Sequence, residues 1–268
     1  MVLLPFFIIG IVFDVAVCLA ARWSGWTLAI MAVLMFIAGI IAAIILYFLI
    51  LSIAALFVDK KKPQEKAVPF YRTGVLYTVG LLNAVFRVRI HTEGFENLPE
   101  GRWLYVSNHR SAFDAIAACW AMRKLDVAFI MKPSIMRIPV VGQFLHKACF
   151  MDVDRENDRE ALKTIIRATQ FVKKGEMSVA VYPEGTRNKE GKGLLPFRHG
   201  AFKIAQRAQV PVVVATVKNS ENVVRNFPWR PTDIYLKVCR IITAEEVAQL
   251  KTNEISDEAR KCMMLEGC

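Results

Sequence analysis

The sequence lacks the cysteine and histidine patterns that usually hold metal ions or build a disulfide framework. Its six cysteines form no C-x-x-C pair, and no cysteine lies near a histidine at zinc-site spacing. Scattered cysteines in apolar surroundings are typical of reduced, buried thiols in a protein that faces the cytosol. We therefore predict no metal site.

Charge is nearly absent from the first 58 residues. Only Asp14 and Arg22 are charged between Met1 and Val58, and they cancel, so the whole formal net charge of +11 lies after Val58. A neutral apolar head followed by a strongly basic body indicates a membrane anchor with attraction to acidic partners such as anionic lipid headgroups. The apolar head disfavours nucleic acid as the partner.

Two long apolar runs, residues 2–21 and 27–58, fill this head. Each is long enough to cross a bilayer, which takes about 20 apolar residues. The basic cluster Lys60–Lys62 follows, and by the positive-inside rule it lies on the cytoplasmic side. We predict a membrane-anchoring helical hairpin over residues 1–60, with the remaining chain in the cytoplasm.

Other interpretations of the head differ in how it meets the bilayer. The hairpin could dip into one leaflet without crossing the bilayer. The first run could instead be a cleaved signal peptide, but this is disfavoured because its start carries no basic residue and Asp14 interrupts its apolar core. A third apolar stretch is interrupted by Arg72 and Asn83, so residues 61–85 are expected to form an amphipathic, interfacial or core helix.

Short β-rich runs recur through residues 86–268, with helical patterns between several of them. The clearest helix runs from Asp158, a candidate cap, to Lys174, with Gly175 as its stop. Seven strands are expected at residues 85–91, 103–108, 126–131, 149–154, 177–183, 210–217 and 234–242. This alternation predicts an α/β domain over residues 86–268, with a mostly parallel sheet of about seven strands flanked by helices.

Charged and polar residues follow four of these strands. They are His109 with Asp114, Lys132, Arg155, and the run Glu184–Arg187. In a parallel α/β domain, ligands bind beyond the carboxyl ends of the strands. These side chains are therefore expected to meet at one edge of the sheet.

The stretch SNHRSAFD, residues 107–114, has two interpretations. His109 could act as a general base near neutral pH, with the Asp114 carboxylate fixing its tautomer and Asn108 bracing the loop. Alternatively, Asp114 only caps the following helix and His109 is an ordinary loop residue. On spacing alone, the helix cap is the favoured interpretation.

The run Glu184–Arg187 can bind an anion. The Arg187 guanidinium can contact phosphate oxygens, and the backbone N–H groups and hydroxyl around Gly185 and Thr186 can donate to the same anion. The alternative is a polar turn with a solvated arginine. Because the sequence contains no G-x-S-x-G serine motif, direct attack by a bound alcohol is favoured over a covalent enzyme intermediate.

Four blocks together resemble the membrane glycerolipid acyltransferases typified by 1-acyl-sn-glycerol-3-phosphate acyltransferase. They are NHRSAFD (108–114), which is similar to the family's N-H-x-x-x-x-D motif, GQFLHKACFMDVDR (142–155), YPEGTRNKEGKGLLPFRHGAF (182–202) with its E-G-T-R, and VPVVVATV (210–217). Their order and spacing also resemble the family pattern. The resemblance covers residues 85–220 and reverses the preference for a simple helix cap.

The resemblance implies a reaction. His109 would deprotonate the sn-2 hydroxyl of lysophosphatidic acid, Asp114 would stabilise the imidazolium, and the alcohol would attack an acyl thioester to give phosphatidic acid. The acceptor would be held by Arg155 and residues 184–187, which are Glu184, Gly185, Thr186 and Arg187. Lys132 is added from its strand-end position alone. Acyl-CoA or an acyl carrier protein would be the co-substrate, with membrane lipids as partners and no cofactor, because a thioester is already activated.

Two alternatives to this reaction stay open. The acceptor could be another lysophospholipid or glycerol 3-phosphate, since Arg155 and Arg187 favour a phosphate without choosing among phosphates. A non-catalytic, membrane-anchored protein that binds anionic lipid is a different class. The presence of His109, Asp114 and Glu184 together argues against it.

Overall fold

The computed structural model describes residues 2–21, 23–188 and 193–267. The chain divides into two compact units, Met1–Asp59 and Lys60–Cys268. The helix that covers most of the predicted 61–85 segment, Pro69–Val85, belongs to the second unit. Tyr71 in this helix packs its ring edge-on against Phe144, with 4.9 Å between ring centroids.

The first unit consists of two apolar helices, α1 (Leu4–Ala21) and α2 (Gly25–Leu56), as the hydropathy predicts. Both are long and apolar enough to cross a membrane. They pack closely at two glycines, because a Cβ atom on Gly39 would lie 3.0 Å from the Gly10 Cα. Small residues at such a contact let two backbones approach each other without a hydrophobic driving force.

The second unit is built on a seven-stranded sheet in the order β1-β7-β6-β2-β5-β3-β4. All neighbouring pairs are parallel except β6 and β7. The strands are β1 (Val88–Glu93), β2 (Leu104–Ser107), β3 (Val127–Met131), β4 (Met151–Asp152), β5 (Ser178–Val181), β6 (Val212–Lys218) and β7 (Thr232–Ile242). The predicted fold class, a mostly parallel α/β sheet of about seven strands, is confirmed.

Helices flank this sheet. They are α3 (Pro69–Val85), α4 (Ala112–Ala121), α5 (Pro133–Met136), α6 (Val141–Lys147), α7 (Asp158–Lys173), α8 (Lys203–Ala208), α9 (Val223–Asn226), α10 (Ala244–Gln249) and α11 (Thr252–Leu265). The central strands β2, β5 and β6 are buried almost throughout, as expected for parallel strands with helices on both faces.

The start of α7 differs from its prediction by one residue. Asp158 was expected to cap the helix, but the cap is Asn157, whose side-chain oxygen accepts hydrogen bonds from the backbone N–H groups of Arg159 and Glu160. Asp158 is instead the first helical residue, where its charge favourably meets the positive end of the helix dipole. Both residue types are good caps, so composition alone could not separate them.

Strands β2 to β6 run parallel to one another, so their carboxyl ends lie along the same edge of the sheet. The loops that follow these strands carry His109 after β2, Lys132 after β3, Arg155 after β4 and Glu184 after β5. The sheet therefore brings these predicted residues to one side of the second unit.

Candidate active site

The loop after β2 is fixed by Asn108, as the sequence suggested. The Asn108 side chain donates to the Val217 carbonyl at 2.9 Å and accepts from the Val217 N–H at 2.7 Å. Asn108 is buried, and this paired contact ties the end of β2 to the neighbouring strand β6. The residue that follows, His109, therefore starts from a rigid backbone.

His109 and Asp114 form a direct pair. The His109 Nδ1 atom lies 2.8 Å from Asp114 Oδ2, and the side chains are 15% and 1% exposed. Because an ionised carboxylate only accepts hydrogen bonds, it holds the proton on Nδ1 and leaves Nε2 able to take up another. This is the arrangement that a histidine general base requires.

Asp114 also belongs to the start of α4, so the two interpretations of SNHRSAFD describe one structure. Ser111 is the helix cap, and Asp114 is the third helical residue of a capping box. Its Oδ2 atom accepts from the N–H groups of Arg110 at 2.7 Å and Ser111 at 2.8 Å, in addition to His109. The same oxygen that orients the imidazole therefore closes the first turn of the helix.

The other oxygen of this carboxylate has its own donor. Asp114 Oδ1 accepts a hydrogen bond from the hydroxyl of Ser220, which is fully buried in the turn after β6. Ser220 was not predicted as a site residue, because the polar stretch after β6 gives no local sign of a contact 106 residues away. With four donors, the buried charge of Asp114 is well compensated, as a buried carboxylate needs.

Glu184 binds backbone N–H groups and, unlike the other predicted binding residues, does not line the cavity described below. Its carboxylate accepts from the His109 N–H at 2.7 Å and from the Leu195 N–H at 3.0 Å, joining two loops. Burial raises the pKa of the Glu184 carboxyl, while these two N–H donors oppose the rise. The geometry shows Glu184 positioning the backbone of His109, and its contact with an acceptor stays a prediction.

Tyr182 supports the imidazole from another side. The Tyr182 ring stacks on the His109 ring with 4.4 Å between centroids and 22° between planes. The imidazole is thus held by a hydrogen bond at one nitrogen, by the Tyr182 ring on one face and by a fixed backbone. Such restraint keeps a base in the geometry that its reaction needs.

A cavity of about 760 Å³ lies beside His109. Six of the eight predicted site residues line it, namely His109, Lys132, Arg155, Gly185, Thr186 and Arg187. Part of the wall is apolar, contributed by residues such as Phe129, Ile135, Val153, Ile165 and Val181. The cavity therefore offers a charged region and an apolar region to one ligand.

Four cationic side chains line this cavity, and we call them the cation cluster: Lys132, Arg155, Arg187 and Arg198. The described lining residues include one carboxylate, Asp158. Burial, and then the nearby charge of Arg198, lower the pKa of Arg155. Like charges held together in this way favour binding of an anion, which would offset both costs.

Gly185 makes room for Arg198. Its φ angle is +72°, and a Cβ atom there would lie 2.9 Å from the Arg198 Nε atom. The Arg198 guanidinium also donates to the Arg155 carbonyl at 3.3 Å. The Gly185 N–H donates to the Tyr182 carbonyl at 3.0 Å, so this predicted anion donor is already used within the loop.

Arg198 and the neighbouring His199 line the cavity but were not predicted as site residues. Both fall within the third block of the resemblance, residues 182–202, of which 189–192 lie outside the described residues. Their distance from any strand end hid them, because the strand-end criterion selects only residues that directly follow a strand. The basic pair itself, in the segment PFRHG, was the available signal.

The five described cysteines do not line this cavity. The described cysteines are all free, and Cys119 and Cys149 are buried. Burial raises the pKa of Cys119 to about 12 and that of Cys149 to about 11. Thiols of this kind are inert at neutral pH, as the sequence predicted for buried core cysteines, and Cys268 lies outside the described residues.

Comparison with known proteins identifies the same region. The family model described as Acyltransferase matches residues 89–218, which contain every predicted site residue. The 1-acyl-sn-glycerol-3-phosphate acyltransferase of Salmonella typhimurium is 30% identical over 165 residues, or 62% of this chain and 65% of that protein. The protein of the same name from Escherichia coli is 34% identical over 122 residues, or 46% of this chain and 49% of that protein. The matched part of the chain thus spans less than two thirds of these relatives.

A solved structure shares the fold. The crystal structure of the 1-acyl-sn-glycerophosphate (LPA) acyltransferase PlsC from Thermotoga maritima aligns with a TM-score of 0.58 at 20% identity, covering 83% of this chain and 90% of that one. This likeness concerns the fold alone. The family model and the relatives show that residues 89–218 are similar to acyltransferase domains.

Proposed function

We propose that this protein transfers a fatty acyl group from a thioester to the sn-2 hydroxyl of 1-acylglycerol 3-phosphate, giving phosphatidic acid. The observation that carries the proposal is the His109–Asp114 pair, which lies at the wall of a cavity lined by the cation cluster. The names of the relatives support the same acceptor. A base beside an anion site suits an acceptor that carries both a hydroxyl and a phosphate.

In the proposed reaction, His109 Nε2 removes the proton from the acceptor hydroxyl as its oxygen attacks the thioester carbonyl. The carbon–sulfur bond then breaks, and the leaving thiolate receives the proton from the imidazolium. Asp114 stabilises the imidazolium through the 2.8 Å contact at Nδ1. A base positioned in this way contributes about 10²- to 10⁴-fold to the rate.

The cation cluster would bind the acceptor phosphate. One guanidinium group can donate two parallel hydrogen bonds to the oxygens of a phosphate. Hydrogen bonds between charged groups are stronger than those between neutral groups. The apolar part of the cavity would shelter an acyl chain. Acyl-CoA or an acyl carrier protein would serve as donor, and no cofactor is needed because the thioester is already activated.

Membrane association of the apolar helices is part of the proposal. Residues 4–21 and 25–56 meet the length and composition that a bilayer span requires. Lys60–Lys62 would place the second unit on the cytoplasmic side, where anionic lipids attract basic segments. Membrane lipids would then surround the apolar helices and also supply the acceptor. Nucleic acid would have no role.

Acyl transfer by the purified full-length protein to a panel of acceptors tests the proposed substrate. We expect lysophosphatidic acid to be preferred over monoacylglycerol, which lacks the phosphate, and Arg155→Gln to raise the KM for lysophosphatidic acid about 10- to 100-fold, as loss of a charge-assisted hydrogen bond would. Arg159→Gln, an exposed change on α7 outside the cavity, is the matched control.

Each result of this panel bears on a different alternative. Equal transfer to acceptors with and without phosphate would contradict the assignment to lysophosphatidic acid. A preference for glycerol 3-phosphate or another lysophospholipid would redirect the substrate within the same chemistry. Absence of transfer to every acceptor, with binding of anionic lipid retained, would support the non-catalytic alternative.

Ser220 is expected to position the His109–Asp114 pair. Removing its hydroxyl leaves Asp114 Oδ1 without its donor, so the carboxylate can turn away from the imidazole. We expect Ser220→Ala to lower kcat about tenfold, the effect of one lost hydrogen bond to a charged group, with KM unchanged. Steady-state kinetics of the purified variant measure both constants.

Two further variants distinguish positioning from stability. Ser220→Thr keeps the hydroxyl and is expected to restore kcat. Ser256→Ala changes another fully buried serine, whose hydroxyl has no hydrogen-bond partner among the described residues, and is expected to leave kcat unchanged. Equal loss of activity in Ser220→Ala and Ser256→Ala would show that Ser220 acts only through packing.

A further inference from the structure

The segment between β6 and β7 exposes large apolar side chains to solvent. Trp229 is 84% exposed, Val224 is 68% exposed and Phe227 is 38% exposed. Arg225 and Arg230 lie between and beside them and are also exposed. We call these five residues the 224–230 surface. Exposed apolar patches rimmed by polar residues mark protein or membrane interaction sites.

The 224–230 surface is held in a defined shape. The Arg87 guanidinium donates to the carbonyl oxygens of Pro228 and Trp229, each at 3.2 Å. Phe227 packs on Phe86, with 4.7 Å between ring centroids. Trp229 is therefore presented on a braced loop, and burying it in a partner would cost little conformational entropy.

The two charged residues within this surface are both positive. Arg225 and Arg230 have no carboxylate partner among the residues that the structure describes. Glu221, the nearest acidic residue before them in the chain, lies 3.8 Å from Arg110 instead. Apolar side chains beside arginines that have no carboxylate partner are complementary to a partner with an anionic surface and an apolar interior.

The surface also lies beside the candidate active site. It begins four residues after Ser220, the donor to Asp114. Phe86 joins the two regions, because it contacts Phe227 at 4.7 Å and also Phe113 at 4.9 Å, the residue before Asp114. Strands β2 and β6 are parallel, so the His109 loop and the turn that leads into the 224–230 surface leave the sheet at the same edge.

We propose that the 224–230 surface docks on a bilayer containing anionic lipid, with Trp229 at the level of the headgroups. Tryptophan is enriched at this depth, and arginines near the surface are attracted to anionic headgroups. Docking at this point would bring headgroups to the edge of the sheet that carries His109. This inference rests on the proposed membrane association of the apolar helices and not on the proposed reaction.

Tryptophan fluorescence of the full-length protein in vesicles tests this docking without measuring activity. The emission of Trp229 is the difference between the wild-type protein and Trp229→Phe. In phosphatidylglycerol vesicles we expect this difference to be shifted to shorter wavelength, to be quenched by bromine-labelled lipid and to be protected from iodide. Trp103, which is 3% exposed, gives the matched control through Trp103→Phe, and its emission should not respond to bromine-labelled lipid.

Charge is tested separately. Arg225→Gln with Arg230→Gln should reduce the bromolipid quenching of Trp229 in phosphatidylglycerol vesicles, and phosphatidylcholine vesicles should give the wild-type protein less quenching than phosphatidylglycerol. Quenching of Trp229 by iodide but not by bromine-labelled lipid would overturn the proposal, because the side chain would then face water. Protection from both quenchers would also overturn it and would indicate a protein partner.

Discussion

Replacing His109 with alanine is expected to lower kcat for acyl transfer about 1,000-fold, in the middle of the range for loss of a general base. Without the imidazole, no described side chain at that place can accept the proton of the acceptor hydroxyl. The KM for the acceptor should change little, because the cation cluster is untouched. Single-turnover rates with saturating thioester and acceptor measure the chemical step directly.

The chain supplies an unusually close control for this variant. His91 and Asp233 form a second pair, with 2.8 Å between Nε2 and Oδ1, but the His91 side chain is 50% exposed and it does not line the cavity. His91→Ala should retain the wild-type rate. If His109→Ala also retains most of its activity while remaining folded in membranes, His109 is not the base.

Asp114→Asn is expected to lower kcat by about 10² to 10⁴-fold with little loss of stability. Its amide oxygen can replace Oδ2 and accept from His109, Arg110 and Ser111, while its NH₂ group donates to the Ser220 hydroxyl. The shape of the loop therefore survives. What is lost is the negative charge that stabilises the imidazolium.

Thermal unfolding of the same preparation separates the two effects of this change. A melting temperature near the wild-type value together with the loss of kcat would identify the charge as the cause. Asp233→Asn in the exposed pair is the control and should change neither quantity. An Asp114→Asn protein with near-normal kcat would mean that Asp114 acts only as part of the helix cap.

The sequence predicted much of this arrangement because strand ends can be recognised locally. A buried β-rich run followed by a charged residue predicts both the strand and the edge at which its charge lies. His109, Lys132, Arg155 and Arg187 were found in this way, and all line one cavity. The resemblance of the four blocks to the family then implied the proposed acceptor and reaction.

Two kinds of feature could not be predicted from the sequence: contacts between distant parts of the chain, and which of two good capping residues caps a helix. Ser220 meets Asp114 only because β6 lies beside β2 in the sheet. Arg198 reaches the cavity across the backbone of Gly185, which depends on a positive φ angle. Ser111, and not Asp114, caps α4. Because serine and aspartate are about equally good caps, residue type alone could not distinguish them.

The long reach of the Asn108 and Ser220 contacts has a consequence for synthesis on the ribosome. Their partners, Val217 and Asp114, lie 109 and 106 residues away in the chain. A nascent chain that has not yet exposed β6 would therefore hold the Asp114 carboxylate without its Ser220 donor and the β2 loop without its brace. Catalytic competence should consequently appear late in translation, well after the residues that perform the chemistry have left the ribosome.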